Sequence, residues 1–171
     1  MSDFNVKRGE NYLLDCVFDG LAHSYDVLTK SYVKPYPEVT GYVIKYFCDV
    51  YDEIPDKILE AGHKLVKIQD KNTGGYTSFM DKNILYTFDT SQILIGLAEL
   101  FKKTGKEEFK EAAIRGGDFL LMMQLENGAI VPIYDRKRKE QYISRQTYSI
   151  WNGPWSGLMC KLTEGFQALY E

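Results

Sequence analysis

Gly62-His63-Lys64-Leu65-Val66-Lys67-Ile68-Gln69 and Gly117-Asp118-Phe119-Leu120-Leu121-Met122-Met123-Gln124 are one pattern written twice, 55 residues apart. Each opens on glycine, carries apolar residues in helical phase and closes on glutamine. Asn72 and Asn127 follow in step, with glycine after both. A displacement of 50 lays Thr40-Gly41-Tyr42-Val43-Ile44 on Thr90-Ser91-Gln92-Ile93-Leu94, and Val50-Tyr51 on Leu100-Phe101. Both displacements agree with helix phase, so the chain reads as a repeated helix pair of about 50 residues.

Working outward, six segments carry a helical period. The spacing of Leu14, Phe18, Leu21, Tyr25 and Leu28 predicts a first helix over about 9–30. A second opens after Pro37-Glu38 and runs to about Asp52, and a third starts at Pro55. The fourth begins at Asp89-Thr90-Ser91 and stops at Lys102-Lys103-Thr104-Gly105, basic residues then glycine. The fifth covers about Glu107 to Gln124, and the sixth about Ser156 to Tyr170. The links between helices two and three, and four and five, are short, which makes those pairs antiparallel neighbours. The links into helices two, four and six are long. Those into four and six contain β-like runs at Tyr76–Phe79, Ala129–Tyr134 and Gln141–Ser144. One all-α domain over 1–171 is expected, with pairs at about 9–52, 55–103 and 107–170. Such pairs bury their inner stripe only against neighbours, and a closed ring needs roughly five to seven of them. Three pairs make a fragment or a half-ring, whose apolar edges predict a homo-oligomer or another chain as cover.

Composition narrows the function. The chain is 44% apolar and 26% charged with a net charge of −3, an ordinary folded protein with no basic field for nucleic acid. No apolar stretch is long enough to span a membrane. The polar start and three scattered cysteines (Cys16, Cys48, Cys160) predict a cytoplasmic protein with buried, reduced thiols. No Cys/His cluster has metal-ligand spacing and no phosphate loop is present, so neither a metal nor a cofactor is expected. The four-residue basic run Arg136–Lys139 reads as a solvated hairpin tip.

The glutamine-plus-glycine repeats resemble those of α/α-toroid proteins, which include terpenoid cyclases and six-hairpin glycosidases. Glutamine can bond loose carbonyls at an outer helix end, and glycine permits the sharp return. Tyr36-Pro37-Glu38-Val39-Thr40-Gly41-Tyr42 and Phe88-Asp89-Thr90-Ser91-Gln92 resemble the signatures of a bacterial toroid family that is six-hairpin-glycosidase-like and accompanies polysaccharide biosynthesis. Serine stands at 91 where that pattern has glycine. The resemblance runs from about residue 36 to the end. It implies that helices one, three and five are outer and two, four and six inner. It also implies an oligo- or polysaccharide partner at the N-terminal rim of the inner helices. No DxDD-type proton donor of the cyclases occurs.

Glu38 and Asp89 fall at that rim, one position apart in the repeat register. Paired carboxylates suit general acid and base work on a glycan, by hydrolysis, elimination or epimerisation. Each acid alone also suits a helix cap or a dipole partner, and a non-catalytic pair would orient hydroxyls in a saccharide-binding or assembly component. Arg145 could clamp an acidic sugar, or form a loop salt bridge. Tyr36, Tyr42, Trp151 and Trp155 could stack on sugar rings or pack internally. Gln92 could contact hydroxyls or a neighbouring helix.

Overall fold

The structure is a computed structural model that describes residues 5–78, 82–142 and 156–170. Its elements are α1 (Val6–Cys16), β1 (Val17–Phe18), β2 (Leu21–Asp26), β3 (Ser31–Pro35), α2 (Pro37–Val50), α3 (Asp56–Ile68), β4 (Tyr76–Thr77) and β5 (Ile84–Tyr86). They continue as α4 (Thr87–Thr104), α5 (Glu107–Met122), β6 (Ile133–Asp135), β7 (Glu140–Tyr142) and α6 (Ser156–Tyr170).

Helix α4 is the centre. It packs against α2 on one side and α6 on the other, with α5 behind it, while α3 touches α2, α4 and α5. Leu94, Leu97 and Leu100 of α4 are fully buried, and Phe101 packs on the same core. Helices α2 and α4 run in the same direction. Near their starts, a Cβ on Gly41 would lie 2.6 Å from the Gln92 carbonyl oxygen. At their far ends, Lys103 Nζ reaches the Tyr51 carbonyl at 3.1 Å. Gly96 meets Gly41 in this crossing, and the next crossing repeats it, Gly165 of α6 lying against Ser91 of α4. The serine at 91 thus has its room made by the missing side chain at 165.

The glutamine of the repeat works as a joint. Gln69 Nε2 donates to the carbonyls of Gly74 and of Ala112 on α5, both at 2.8 Å, and Arg115 Nε donates to its Oε1 at 3.0 Å. Gln124 makes only the first of these bonds, to Gly128 at 3.2 Å, and is exposed.

Two expectations need correction. The first helix ends at Cys16 instead of continuing to residue 30, and the chain then turns into a three-stranded antiparallel sheet, β1-β2-β3. The reason is Asp19-Gly20, whose φ values of 54° and 74° form the two-residue hairpin turn that pairs Phe18 with Leu21. Leu28, placed on a helical stripe by its spacing, lies 90% exposed between β2 and β3. The fold is therefore not all-α. A second sheet, β4-β5-β6-β7, joins the loop before α4 to the loop before α6. The β-like runs of those loops supply three of its strands, and β5 is an addition.

Candidate active site at the inner-helix rim

Helices α2 and α4 open in the same way. Thr40 Oγ1 donates to the Tyr36 carbonyl at 3.0 Å and accepts the Ala22 N–H of β2 at 2.9 Å. Thr90 Oγ1 donates to the Tyr86 carbonyl at 2.7 Å and accepts the Tyr76 N–H of β4 at 3.0 Å. Each threonine ties the first turn of its helix to the strand one before the strand that leads into it, β2 for α2 and β4 for α4. Parallel helices with matched first turns then present their second and third residues to one rim.

Those residues are Glu38, second in α2, and Asp89, third in α4. Neither caps its helix: the caps are Tyr36 and Tyr86, without side-chain cap bonds. Asp89 is 5% exposed, and its Oδ2 is buried with no hydrogen-bond partner. Burial first, and the Glu38 charge second, push the Asp89 carboxyl up to about 8, so it keeps its proton at neutral pH. Glu38 is half-buried, and desolvation raises it too, opposed by the hydrogen bond it accepts from Tyr42 Oη at 3.0 Å. Burial pushes the Tyr36 phenol up to about 12, with the charges of Asp89 and Glu38 adding to it. Tyr42 is raised mainly by burial, then by Glu38, and Asp89 and Glu164 of α6 also act on it. Glu38, Asp89, Tyr36 and Tyr42 therefore share one electrostatic neighbourhood.

The other candidates separate. Tyr42 remains 38% exposed and open to a ligand, whereas Gln92 is 3% exposed. Tyr76, another tyrosine of the rim loops, is fully buried in the core. Arg145, Trp151 and Trp155 lie outside the described residues. Among the described residues no group of three His, Cys, Asp or Glu side chains is placed to hold a metal, and no helix is long and apolar enough to cross a membrane.

Sequence reading missed one feature of this end of the molecule. A cavity of about 650 Å³ is lined by Lys34, Pro37, Asp70, Lys82, Leu85 and Arg136, among others. Arg136 opens the exposed β6–β7 turn, and its half-exposed guanidinium reaches back to Asp70, 2.9 Å from Oδ2, so this member of the basic run has a buried partner. The available signal was Asp70-Lys71-Asn72-Thr73-Gly74, a turn whose leading aspartate proved to be the partner of Arg136 in the distant basic run.

The fold has close counterparts. A sugar epimerase from a ruminal bacterium aligns over 95% of this chain and 48% of its own, at 15% identity and a TM-score of 0.71. The cellobiose 2-epimerase of Spirochaeta thermophila DSM 6192 aligns over 96% of this chain and 45% of its own, at 10% identity and a TM-score of 0.66. PssZ from Listeria monocytogenes aligns over 82% and 47%, at 17% identity and a TM-score of 0.60. The chain thus has the fold of α/α-toroid proteins and spans about half the length of these relatives. No curated protein matches it. The pattern of one family, described as pectic acid lyase, matches residues 59–151, more than half of the sequence and including Asp89, the Gln69 joint and both halves of the Asp70–Arg136 pair. On that match, the chain belongs to the pectic acid lyase family.

Proposed function

We propose that this chain is a carbohydrate-active protein of polysaccharide metabolism, and that its rim moves a proton on a sugar carbon next to a carbonyl or carboxylate group. The observation that carries the reading is the buried Asp89 carboxyl, protonated at neutral pH, with one oxygen unpartnered and Glu38 acting on it. Two neighbouring carboxyls in unequal surroundings, Asp89 buried and Glu38 half-buried, are the usual makings of an acid and a base. Eliminative cleavage of a pectic acid and epimerisation of a sugar, the activities named for the family and for two of the fold neighbours, both begin by removing such a proton. In elimination, Glu38 takes the ring proton beside the carboxylate and the C–H electron pair becomes a ring double bond. The bond to the leaving sugar breaks, and the departing oxygen takes the Asp89 proton. Tyr42 orients Glu38 through its hydroxyl, and Tyr36 and Tyr42 offer ring faces to the substrate.

The test is turnover of pectic acid and of cellobiose by the protein and by Glu38→Gln and Asp89→Asn. The amides should lose about 10²-fold or more in rate, the scale of a general acid or base, with substrate affinity kept. Wild-type rates in both variants, read as unsaturated ends or as epimer ratio, would remove the pair from catalysis. Weakened glycan affinity in those variants, together with no turnover by the parent, would favour a binding protein.

A further inference from the structure

We propose that the cavity between β3, the α3–β4 turn and the end of β6 is a carboxylate-binding subsite for an acidic glycan, built by Arg136, Lys34 and Lys82. It rests on the glycan reading above but is a separate site, since neither Glu38 nor Asp89 lines it. Three observations carry it.

The first is that Arg136 is held in place. Asp70 is 8% exposed, and its Oδ1 accepts bonds from Asn72 N, Thr73 N and Thr73 Oγ1 at 3.1, 2.9 and 2.8 Å. Its Oδ2 takes Arg136 Nη2 at 2.9 Å, and Arg136 Nη1 donates to the Lys82 carbonyl at 3.0 Å. The guanidinium is thus fixed on one edge, yet its side chain stays 43% exposed. Five N–H donors in a planar fork leave further donors for a second carboxylate.

Second, the charge is unbalanced. Lys34 and Lys82 join Arg136 on the wall, against the single carboxylate of Asp70, and neither lysine has an acidic partner among the described residues. The positive excess is local, in a chain that is acidic as a whole. Third, the walls suit a sugar. Leu21, Ile68 and Leu85 give an apolar surface and Thr77 a hydroxyl, in a volume within the usual ligand-pocket range of ~300–1,000 Å³. The cavity adjoins the rim through Pro37, which lines it and precedes Glu38. A polymer held here by one acidic residue lays its next residues toward the carboxyl pair.

The experiment is calorimetric titration of the full chain with tetragalacturonate and with its fully methyl-esterified form, which keeps the backbone and loses the charge. The acid should bind about tenfold more tightly than the ester, and added salt should erase the difference. Lys34→Gln and Lys82→Gln should each weaken acid binding about threefold to tenfold and leave ester binding unchanged. Both lysines are exposed, so these variants fold. Equal affinity for acid and ester, equal losses for both ligands, or no binding of either would overturn the proposal. The two readings fail separately. Acid binding that follows Lys34 and Lys82, with turnover indifferent to Glu38→Gln and Asp89→Asn, leaves the cavity standing and the pair fallen. Turnover that needs the pair, with no preference for charge, does the reverse.

Discussion

Asp89 is the residue on which most depends. Its folded-state carboxyl titrates at about 8, against an ordinary 3.8 in the unfolded chain, so between those values the native state holds a proton that the unfolded state has released. The ionisation of Asp89 therefore costs nothing below pH 3.8. Its cost grows as pH rises through the window and is complete above about 8. Asp89→Asn imitates the protonated form and should flatten this part of the stability profile. Thermal melts at about pH 9 should show the variant more stable, by on the order of a few kcal/mol, and near parity at about pH 4. Glu38→Gln removes the second cause of the shift, so in that variant the decline should still begin near 3.8 but be complete at a lower pH, with a smaller total loss. A profile unchanged by Asp89→Asn would mean that the carboxylate is solvated. At this scale the sequence was legible in part. Carboxylates before two repeated helices marked Glu38 and Asp89, but the reading of each as a possible cap failed because tyrosines take the cap positions. Nothing in one sequence told that Gln92 and Tyr76 would be buried, since glutamine and tyrosine serve a rim and an interior equally well.

Among the elements, repeated packing rules made the helices readable and a local turn rule, overlooked, made the first one misread. Four-and-three spacing from Leu14 to Leu28 satisfies a helix, but two residues with positive φ at Asp19-Gly20 fit only a hairpin. The inner-helix crossing offers a direct check. At Gly41 an added Cβ meets the backbone of Gln92 and Ile93, which cannot swing aside. Gly41→Ala should cost about 1–3 kcal/mol, measured by urea unfolding. The glutamine joint gives a paired prediction. Gln69→Ala leaves the Gly74 and Ala112 carbonyls without their donor in a buried place, for a loss of about 1–3 kcal/mol. Gln124→Ala loses one exposed bond and should stay within about 0.5 kcal/mol of wild type. Equal costs in the two variants would show that the joint between α3 and α5 is not what Gln69 secures.

For the whole molecule, the same register shows which helix face lacks a helical neighbour among the described residues. On α3, His63 meets Glu108 at 3.2 Å and lies against Phe109, so its stripe of Leu59, His63 and Val66 is the one that faces α5. Leu59 and Val66 pack on the core. Displaced by 55, the stripe becomes Ile114, Asp118 and Leu121 on α5, where Ile114 is 47% and Leu121 56% exposed. Gln69 is buried against α5, and its repeat partner Gln124 is exposed. The outer face of α5 thus has the shape of a surface made for a further outer helix, and among the described residues none lies there. This chain spans about half the length of the three solved proteins it aligns with. We expect the 171-residue chain to cover that face by association, with a second copy supplying the missing neighbour. Light scattering should then give a mass above 19.7 kDa that rises with concentration. Leu121→Glu, which puts a charge in the middle of the stripe, should return it to the monomer without changing the Asp89-dependent pH profile. A parent chain that stays monomeric at high concentration would show that the exposed stripe of α5 tolerates water.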